Sequence, residues 1–544
     1  VSTPGWVSTL GALVRQRARR DRLQIAVWAV STGLLALTAA TGVAQTYGDD
    51  AERAGIMRLA VANPSILLLR GLPQGAELPA FVFFQIFTYL ALMCAFMAGF
   101  LAVRHSRAEE ESGRAELVAS TRAARTLPTV ATVVHGVAAS VALGVAVALG
   151  FVAGGLPVAG ALVSGAATAA VGVAFLGVGL LAAQFARTSR GANSIGAAAI
   201  GVAFLLRGVG DALGTPSDDR LSMTSAWPSW LSPIGWAQHT GAFTADDLAP
   251  LLLCLALATA CIAAVFAVQA SRDSGASLLP ERIGRRAAAP WLSGSFALAW
   301  RLQWPSIVGW TLGGVATGLL AGSLAGVVIE AARTNPELAA TLRSIVPDAD
   351  ASVAQVLISA MFAIAGVVAA GCAIQAVIRL RQEETGGTAE PLLAARLGRV
   401  HWLADYLVLG VVAISLVLLG AALASAAGVL VSGDDPALIA DSFAAAAAQL
   451  PAALVYLGVL ALVFVLLPSA TSALGWTLLA AGSFLGIFGA LVGAPEWLRD
   501  VSPFSHTPVA LGTSTDWSGG AWLAVVAVAA ASVALLLMRR RELR

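Results

Sequence analysis

The chain contains no lysine: all 33 basic residues among its 544 are arginine. That absence excludes one function directly. A nucleotide-hydrolysing P-loop places a lysine on the phosphates, in the pattern G-x-x-x-x-G-K-[ST], and this chain has none to place. If ATP drives it, the ATPase is a separate polypeptide, and ATP and Mg belong to that partner. With abundant alanine, the replacement of lysine by arginine also reads as a GC-rich coding bias. Charge of either sign is scarce: 12% of residues are charged, against roughly a quarter in soluble domains. Cysteine is rare too. Cys94, Cys254, Cys261 and Cys372 all fall in apolar runs, without disulfide or metal-ligand spacing. The five histidines are scattered along the sequence, so no metal site is expected. No nucleophile–base pair, cofactor motif or nucleic-acid partner is indicated, and an enzyme is not expected.

What is present is apolar surface: 58% of residues are hydrophobic and mean hydropathy is +0.82. A membrane span needs about 20 apolar residues, and only helices or closed barrels satisfy their backbone in lipid. The runs here are continuous rather than alternating, which selects helices. The expected fold class is an all-α integral membrane protein of about twelve spans: 24–45, 80–102, 129–152, 157–185, 195–213, 249–270, 304–331, 353–378, 403–428, 440–467, 472–492 and 519–538. Cytoplasmic segments retain positive charge. With the N-terminus inside, 25 arginines are cytoplasmic, seven are outside and Arg207 alone lies within a span. Both termini are therefore expected in the cytoplasm, with Arg539, Arg540 and Arg541 anchoring the last helix. Five arginines before the first span argue against a cleavable signal peptide, and Val1 reads as a valine-type start. The stretch from Trp6 to Gln24 is either an amphipathic helix lying on the inner interface or a plain positive-inside anchor.

A charged segment occurs twice. Arg107-Ala-Glu109-Glu110-Glu111-Ser-Gly113-Arg114-Ala115-Glu116 aligns with Arg381-Gln-Glu383-Glu384-Thr-Gly-Gly387-Thr-Ala389-Glu390 at six of ten positions, a shift of 274 residues. Arg122 and Arg125 match Arg396 and Arg399 at the same shift. Arg19 and Trp28 of span one match Arg301 and Trp310 of span seven. Asn63-Pro64 matches Asn335-Pro336, and Trp227-x4-Ser232-Pro233 matches Trp497-x4-Ser502-Pro503. Each half has six spans, an even number, so both halves enter the membrane the same way. Two parallel six-helix repeats follow: residues 1–270 and 295–544, joined by a basic linker, 271–294.

The repeated segments lie just inside the membrane, where carboxylates and arginines suit charge-assisted contact with a soluble partner. Glu109, Gly113 and Glu116 share one face if the segment is helical, and Glu111 is placed to pair with Arg114. The connectors containing Trp227, Ser232, Pro233 and Trp236, and Trp497, Ser502 and Pro503, are expected outside. They form an interfacial aromatic belt or short re-entrant helices at an outer gate, which must then be buried in protein. Arg207 and Asp211, four residues apart, are either an intramembrane pair or two groups that snorkel to the interface; snorkelling is the favoured expectation. His135 and Gln85 are isolated polar groups suited to interhelical hydrogen bonds. The span interiors hold almost no carboxylates, so a proton relay is not expected.

The segment Arg107–Leu117, the Asn63-Pro64 loop, Leu206-Arg207-Gly208-x-Gly210-Asp211 and Ser232-Pro233-Ile234-Gly235-Trp236 together resemble the large twelve-span permeases of type-2 ABC exporters in actinobacteria, the tetronasin-exporter type often described as exporters of polyketide antibiotics. The resemblance covers essentially the whole chain. It implies an ATP-driven exporter of hydrophobic compounds in the bacterial cytoplasmic membrane. Arg107, Glu109, Glu110, Gly113, Arg114 and Glu116, with Arg381, Glu383, Glu384, Gly387 and Glu390, would form coupling helices seated on two copies of a separate ATPase. Spans one, two and five of each half would wall the pathway. Pro391 and Thr388 depart from the pattern, so equal coupling at the two sites is not implied. The rival reading is a proton-coupled multidrug carrier of the major facilitator type, which also has six plus six spans. A membrane enzyme or scaffold is a third, without a reactive constellation to carry it.

Overall fold

The computed structural model describes residues 6–119, 125–271, 278, 289–292, 294–334, 352–394, 397–488, 495–508 and 516–542. Arg122, Arg396, Asn335-Pro336 and most of the expected linker 271–294 lie outside these. The chain forms two compact units, Val1–Ile283 and Gly284–Arg544.

The first unit contains α1 (Trp6–Thr46), α2 (Asp50–Ala62), α3 (Pro64–Leu69), α4 (Leu78–Arg104), α5 (Arg107–Glu111), α6 (Arg114–Ala119), α7 (Leu127–Ala153), α8 (Val158–Phe185), α9 (Ser189–Ala212), α10 (Pro233–Gln238) and α11 (Leu251–Ser271). A two-stranded antiparallel ribbon, β1 (Thr215–Pro216) with β2 (Met223–Thr224), precedes α10. The second unit contains α12 (Ser295–Thr334), α13 (Val353–Thr385), α14 (Ala389–Ala394), α15 (Arg399–Ser432), α16 (Ala437–Leu466), α17 (Thr471–Ser483), α18 (Glu496–Arg499) and α19 (Ser518–Met538). Twelve helices among the described residues are long and apolar enough to cross a membrane, one at each expected span. The protein is an all-α integral membrane protein.

Apolar side chains gain nothing by leaving lipid for one another, so helices in a membrane associate through close approach of small residues. In the first unit α8 occupies the centre, against α4, α7, α9 and α11. Where α7 crosses α8, a Cβ on Gly144 would stand 2.4 Å from the Gly165 carbonyl oxygen, and the reverse holds for Gly165. Gly150 of α7 approaches Gly33 of α1 as closely, at 2.3 Å. In the second unit α12 lies along α15 on a glycine stripe of four-residue period. Added Cβ atoms on Gly314, Gly318 and Gly322 would meet the carbonyl oxygens of Val417, Ala421 and Ser425 at 2.6, 1.9 and 2.0 Å.

The stretch from Trp6 to Gln24 is not a separate interfacial helix. It runs unbroken into the first span as α1, with Arg17 and Asp21 buried against other helices. Its polar face has partners, described below, and these override the preference of an arginine-rich segment for the membrane surface.

Candidate functional site

In the first unit the charged segment is two short helices, not one. The chain turns at Ser112-Gly113, with Gly113 at φ +72°, a conformation glycine adopts without steric cost. Glu109 and Glu116 therefore do not share a helical face. Glu109 points into the bundle, while Arg114 and Glu116 are exposed. Arg107 is buried. Its Nε and Nη2 both donate to the Ala183 carbonyl oxygen, at 2.8 and 2.6 Å, and Nη1 pairs with Glu110 at 2.7 Å. Ala183 lies in the last turn of α8, where carbonyls have no helical partner and a cation is favourable. Glu111 accepts from the Ser189 backbone N–H at 2.9 Å, at the N-terminus of α9, rather than turning to Arg114. The segment is thus clamped to the ends of α8 and α9.

In the second unit α13 continues through the charged residues to Thr385. The turn that follows repeats the first one in detail. Gly387 has φ +70°. Ser112→Ala108, Gly113→Glu110 and Glu116→Gly113 backbone bonds recur as Gly386→Gln382, Gly387→Glu384 and Glu390→Gly387, at the same shift. Arg381 pairs with Glu384 at 3.1 Å as Arg107 does with Glu110. Glu383 is buried, accepting from the Tyr406 hydroxyl at 2.6 Å and Trp402 Nε1 at 3.3 Å, with Arg379 at 3.3 Å. Glu384 receives Arg541 at 2.7 Å, and that guanidinium lies 4.4 Å over the Phe464 ring. Of the two segments, Arg114, Glu116, Gly387 and Glu390 are exposed; the inward groups hold the segments in place.

A buried cluster beside the first segment was not foreseen. His105 Nε2 lies 2.5 Å and His135 Nε2 3.0 Å from the same Asp21 oxygen. His105 Nδ1 faces Glu109 at 3.3 Å, and Arg104 reaches Asp21 at 3.1 Å. Arg17 donates to Thr132 and the Pro128 carbonyl at 2.8 Å and pairs with Glu109 at 3.4 Å; Arg20 reaches Glu109 at 3.5 Å. Histidines scattered in sequence converge because α1, α4 and α7 pack side by side. The helical spacings Arg17–Asp21 and His105–Glu109 were the available signal. His135 makes an interhelical bond as expected. Gln85 does not do so through its carbonyl oxygen, which is buried without a partner among the described residues.

At the far end of α9, Arg207 and Asp211 do not snorkel. Both are fully buried and pair at 3.3 Å. Arg207 donates to the Leu67 and Leu68 carbonyls of α3 at 3.1 and 2.7 Å, where that helix ends. Asp211 accepts from Ser225 at 2.6 Å and from Gln238 of α10 at 2.8 Å. Asp211 therefore joins α9, α10 and the segment between them, and the pair has enough partners to stay inside. The connector is built on Ser232, whose buried hydroxyl accepts from Ile234 and Gly235 N–H at 3.2 and 3.3 Å and so starts α10 at Pro233. Trp227 is exposed, and Trp236 Nε1 donates to the Trp230 carbonyl at 2.6 Å. In the second unit Ser502 does the same for the turn beginning at Pro503. It accepts from Phe504 N–H at 3.1 Å and donates to the Gly482 carbonyl at 2.7 Å, while Trp497 is exposed.

Long apolar helices, with buried charged groups held by carbonyls and counter-ions near helix ends, are the features of a multi-pass membrane protein. Residues 292–539 match the family model of the C-terminal domain of the multidrug efflux system permease Rv1217c. The whole chain is 33% identical over 545 residues to the multidrug efflux system permease protein Rv1217c of Mycobacterium tuberculosis, an alignment covering 99% of this chain and 96% of that protein. The chain belongs to this family of multidrug efflux system permeases.

Proposed function

We propose that this chain is the membrane subunit of an ATP-driven exporter of hydrophobic compounds (antibiotics, drugs or lipids), energised by a separate ATPase through the two charged segments. The single observation that carries the reading is the recurrence of one turn, with its positive-φ glycine, three backbone bonds and Arg–Glu pair, in both units. Solvation of a loop does not require the same geometry twice. Two ATPase chains, each holding MgATP, would seat one segment each. Closure of the ATPases on ATP would then move the two units, which we read as parallel six-helix repeats, and release substrate outward. The membrane is the bacterial cytoplasmic membrane, with both termini in the cytoplasm. The resemblance to tetronasin-type exporters and the relative's name both support a drug-like or polyketide cargo. Spans one, two and five of each unit would wall its path.

The exposed carboxylates set the test. Glu116→Ala with Glu390→Ala removes two exposed groups whose side chains have no partner among the described residues. A lost charge-assisted contact costs about 1.5–3 kcal/mol, a tenfold or greater weakening of docking at roughly 1.4 kcal/mol per decade. We expect the double variant to insert normally, bind its ATPase at least about tenfold more weakly and lose substrate-stimulated hydrolysis. Titration of purified ATPase onto nanodisc-embedded permease measures it; unchanged affinity and stimulation would remove these segments from the coupling role.

The proton-coupled alternative gains the Asp21–His105–His135 cluster. That cluster lies at one end of the bundle, and the other carboxylate buried among the described residues of the unit, Asp211, lies at the opposite end.

A further inference from the structure

We infer that His105 is a titratable positioning residue: as an imidazolium it struts the first coupling segment against α1, so that coupling through the first unit depends on cytoplasmic pH while coupling through the second does not. This rests on the coupling reading above.

The geometry is specific to His105. Its Nε2 stands 2.5 Å from Asp21 of α1 and its Nδ1 3.3 Å from Glu109 in the charged segment. A neutral imidazole has one donor and one acceptor, so it would turn a lone pair on one of the two carboxylates. Only the doubly protonated ring donates to both. His135 differs: one nitrogen reaches Asp21, a bond its neutral form makes equally well. Among the described residues, the other charged groups facing the cluster are Arg17 and Arg20 from α1, Arg104 from α4, and Glu109. None of them titrates near neutral pH in its ordinary range. The ligand atoms of Asp21, His105 and His135 lie within 4.8 Å of one another, the spacing of a metal site. Its one carboxylate, Asp21, already pairs with Arg104, and Arg17 and Arg20 lie on the neighbouring Glu109, so a proton, not a divalent ion, is the cation that fits.

The second unit carries the comparison within the same chain. At the shift relating Arg107 to Arg381, His105 becomes Arg379 and Glu109 becomes Glu383, and Arg379 pairs with Glu383 at 3.3 Å with the same four-residue spacing. His135 becomes Leu409. At the shift relating Arg19 to Arg301, Asp21 becomes Gln303 and Arg17 becomes Ala299. The second unit thus makes the cation–Glu contact with a group that is always charged, and dispenses with the buried carboxylate that the histidine needs. When His105 loses its proton to the cytoplasm, Asp21 and Glu109 share one donor fewer, and α1 holds the segment only through Arg17 and Arg20 on Glu109, at 3.4 and 3.5 Å.

The test is His105→Arg in the full chain, assembled with its ATPase in nanodiscs. Substrate-stimulated ATPase activity is read at about pH 6 and about pH 8.5, on either side of the ordinary histidine range. The wild-type to His105→Arg ratio removes the pH dependence of the ATPase chains themselves. We expect that ratio to fall about threefold or more as pH rises, and His135→Gln to track the wild type; a flat ratio overturns the inference. Thermal unfolding of the permease alone separates the two readings. A wild-type midpoint that falls with pH relative to His105→Arg supports the strut without any ATPase. If no ATPase binds the chain, the coupling reading fails while this difference still stands or falls by itself. Should His105→Arg fail to fold, ring-nitrogen NMR of 15N-histidine-labelled wild type decides. The His105 ring, assigned after His239, His401 and His506 are replaced by glutamine, supports the strut if both its nitrogens are protonated at about pH 6 and one proton is lost by about pH 8.5; a His105 ring with a single protonated nitrogen at about pH 6 overturns it. Stoichiometric zinc in the purified wild type, absent from His135→Gln, would also overturn the assignment.

Discussion

Asp211→Ala is expected to unfold the α9–α10 end of the first unit. The substitution leaves Arg207 fully buried without its counter-ion, and removes the acceptor of Ser225 and Gln238 together. Removing one partner of a buried pair costs about 3–5 kcal/mol, because the other charge remains desolvated. A whole domain is stable by only about 5–15 kcal/mol. The variant should therefore reach the membrane at a small fraction of the wild-type level and unfold well below it in detergent. Arg207→Met with Asp211→Leu removes both charges and should recover part of the loss, since apolar replacements of a buried pair are tolerated; Ser225 and Gln238 remain unpaired, so recovery is incomplete. A single Asp211→Ala with near-wild-type stability would mean that the pair reaches water after all.

Gly318→Leu is expected to be as damaging to the second unit. A Cβ at Gly318 would lie 1.9 Å from the Ala421 carbonyl oxygen, and the obstacle is backbone rather than a movable side chain. The α12–α15 contact would have to part along its length, because Gly322 sits about as close to α15 on one side and Gly314, at 2.6 Å, is also within contact on the other. Overpacking by even a methylene costs about 1–3 kcal/mol, and a whole side chain between two backbones exceeds that. Gly309→Leu is the control. It lies on the same helix, but nothing stands within 4 Å of its added Cβ, so its effect should stay within about 0.5 kcal/mol. Size-exclusion profiles of the two variants in mild detergent distinguish them: mostly aggregate for Gly318→Leu, a wild-type peak for Gly309→Leu. Equal profiles would show that the stripe does not set this packing.

The twelve spans were legible because each is a continuous apolar run, and lipid leaves a helix as the only outcome. The twin charged segments and the paired Ser-Pro connectors were legible as repeats of the same residues at matching spacing; the glycine turn and the serine caps at Ser232 and Ser502 were not read from them. Glu383 and Glu384 looked like docking residues because sequence spacing does not reveal what a helix faces. Tyr406, Trp402 and Arg541, which turn them inward, are distant in sequence. The histidine cluster was hidden for the same reason: three helices meet there, and none alone marks it. Arg207 and Asp211 were expected to snorkel because their partners are two backbone carbonyls, a serine and a glutamine, which carry no charge for a sequence to display. In each case what stayed hidden is a tertiary partner.

The central claim is that a separate ATPase drives this permease, and one measurement addresses it most directly. The tagged full-length chain is purified from its native membrane in mild detergent, its partners are identified and counted by mass, and ATPase activity is assayed on the eluate. We expect a co-purifying P-loop ATPase at about two copies per permease, one for each charged segment, with hydrolysis stimulated by hydrophobic compounds. A stable, transport-competent chain that purifies without any ATPase would contradict it.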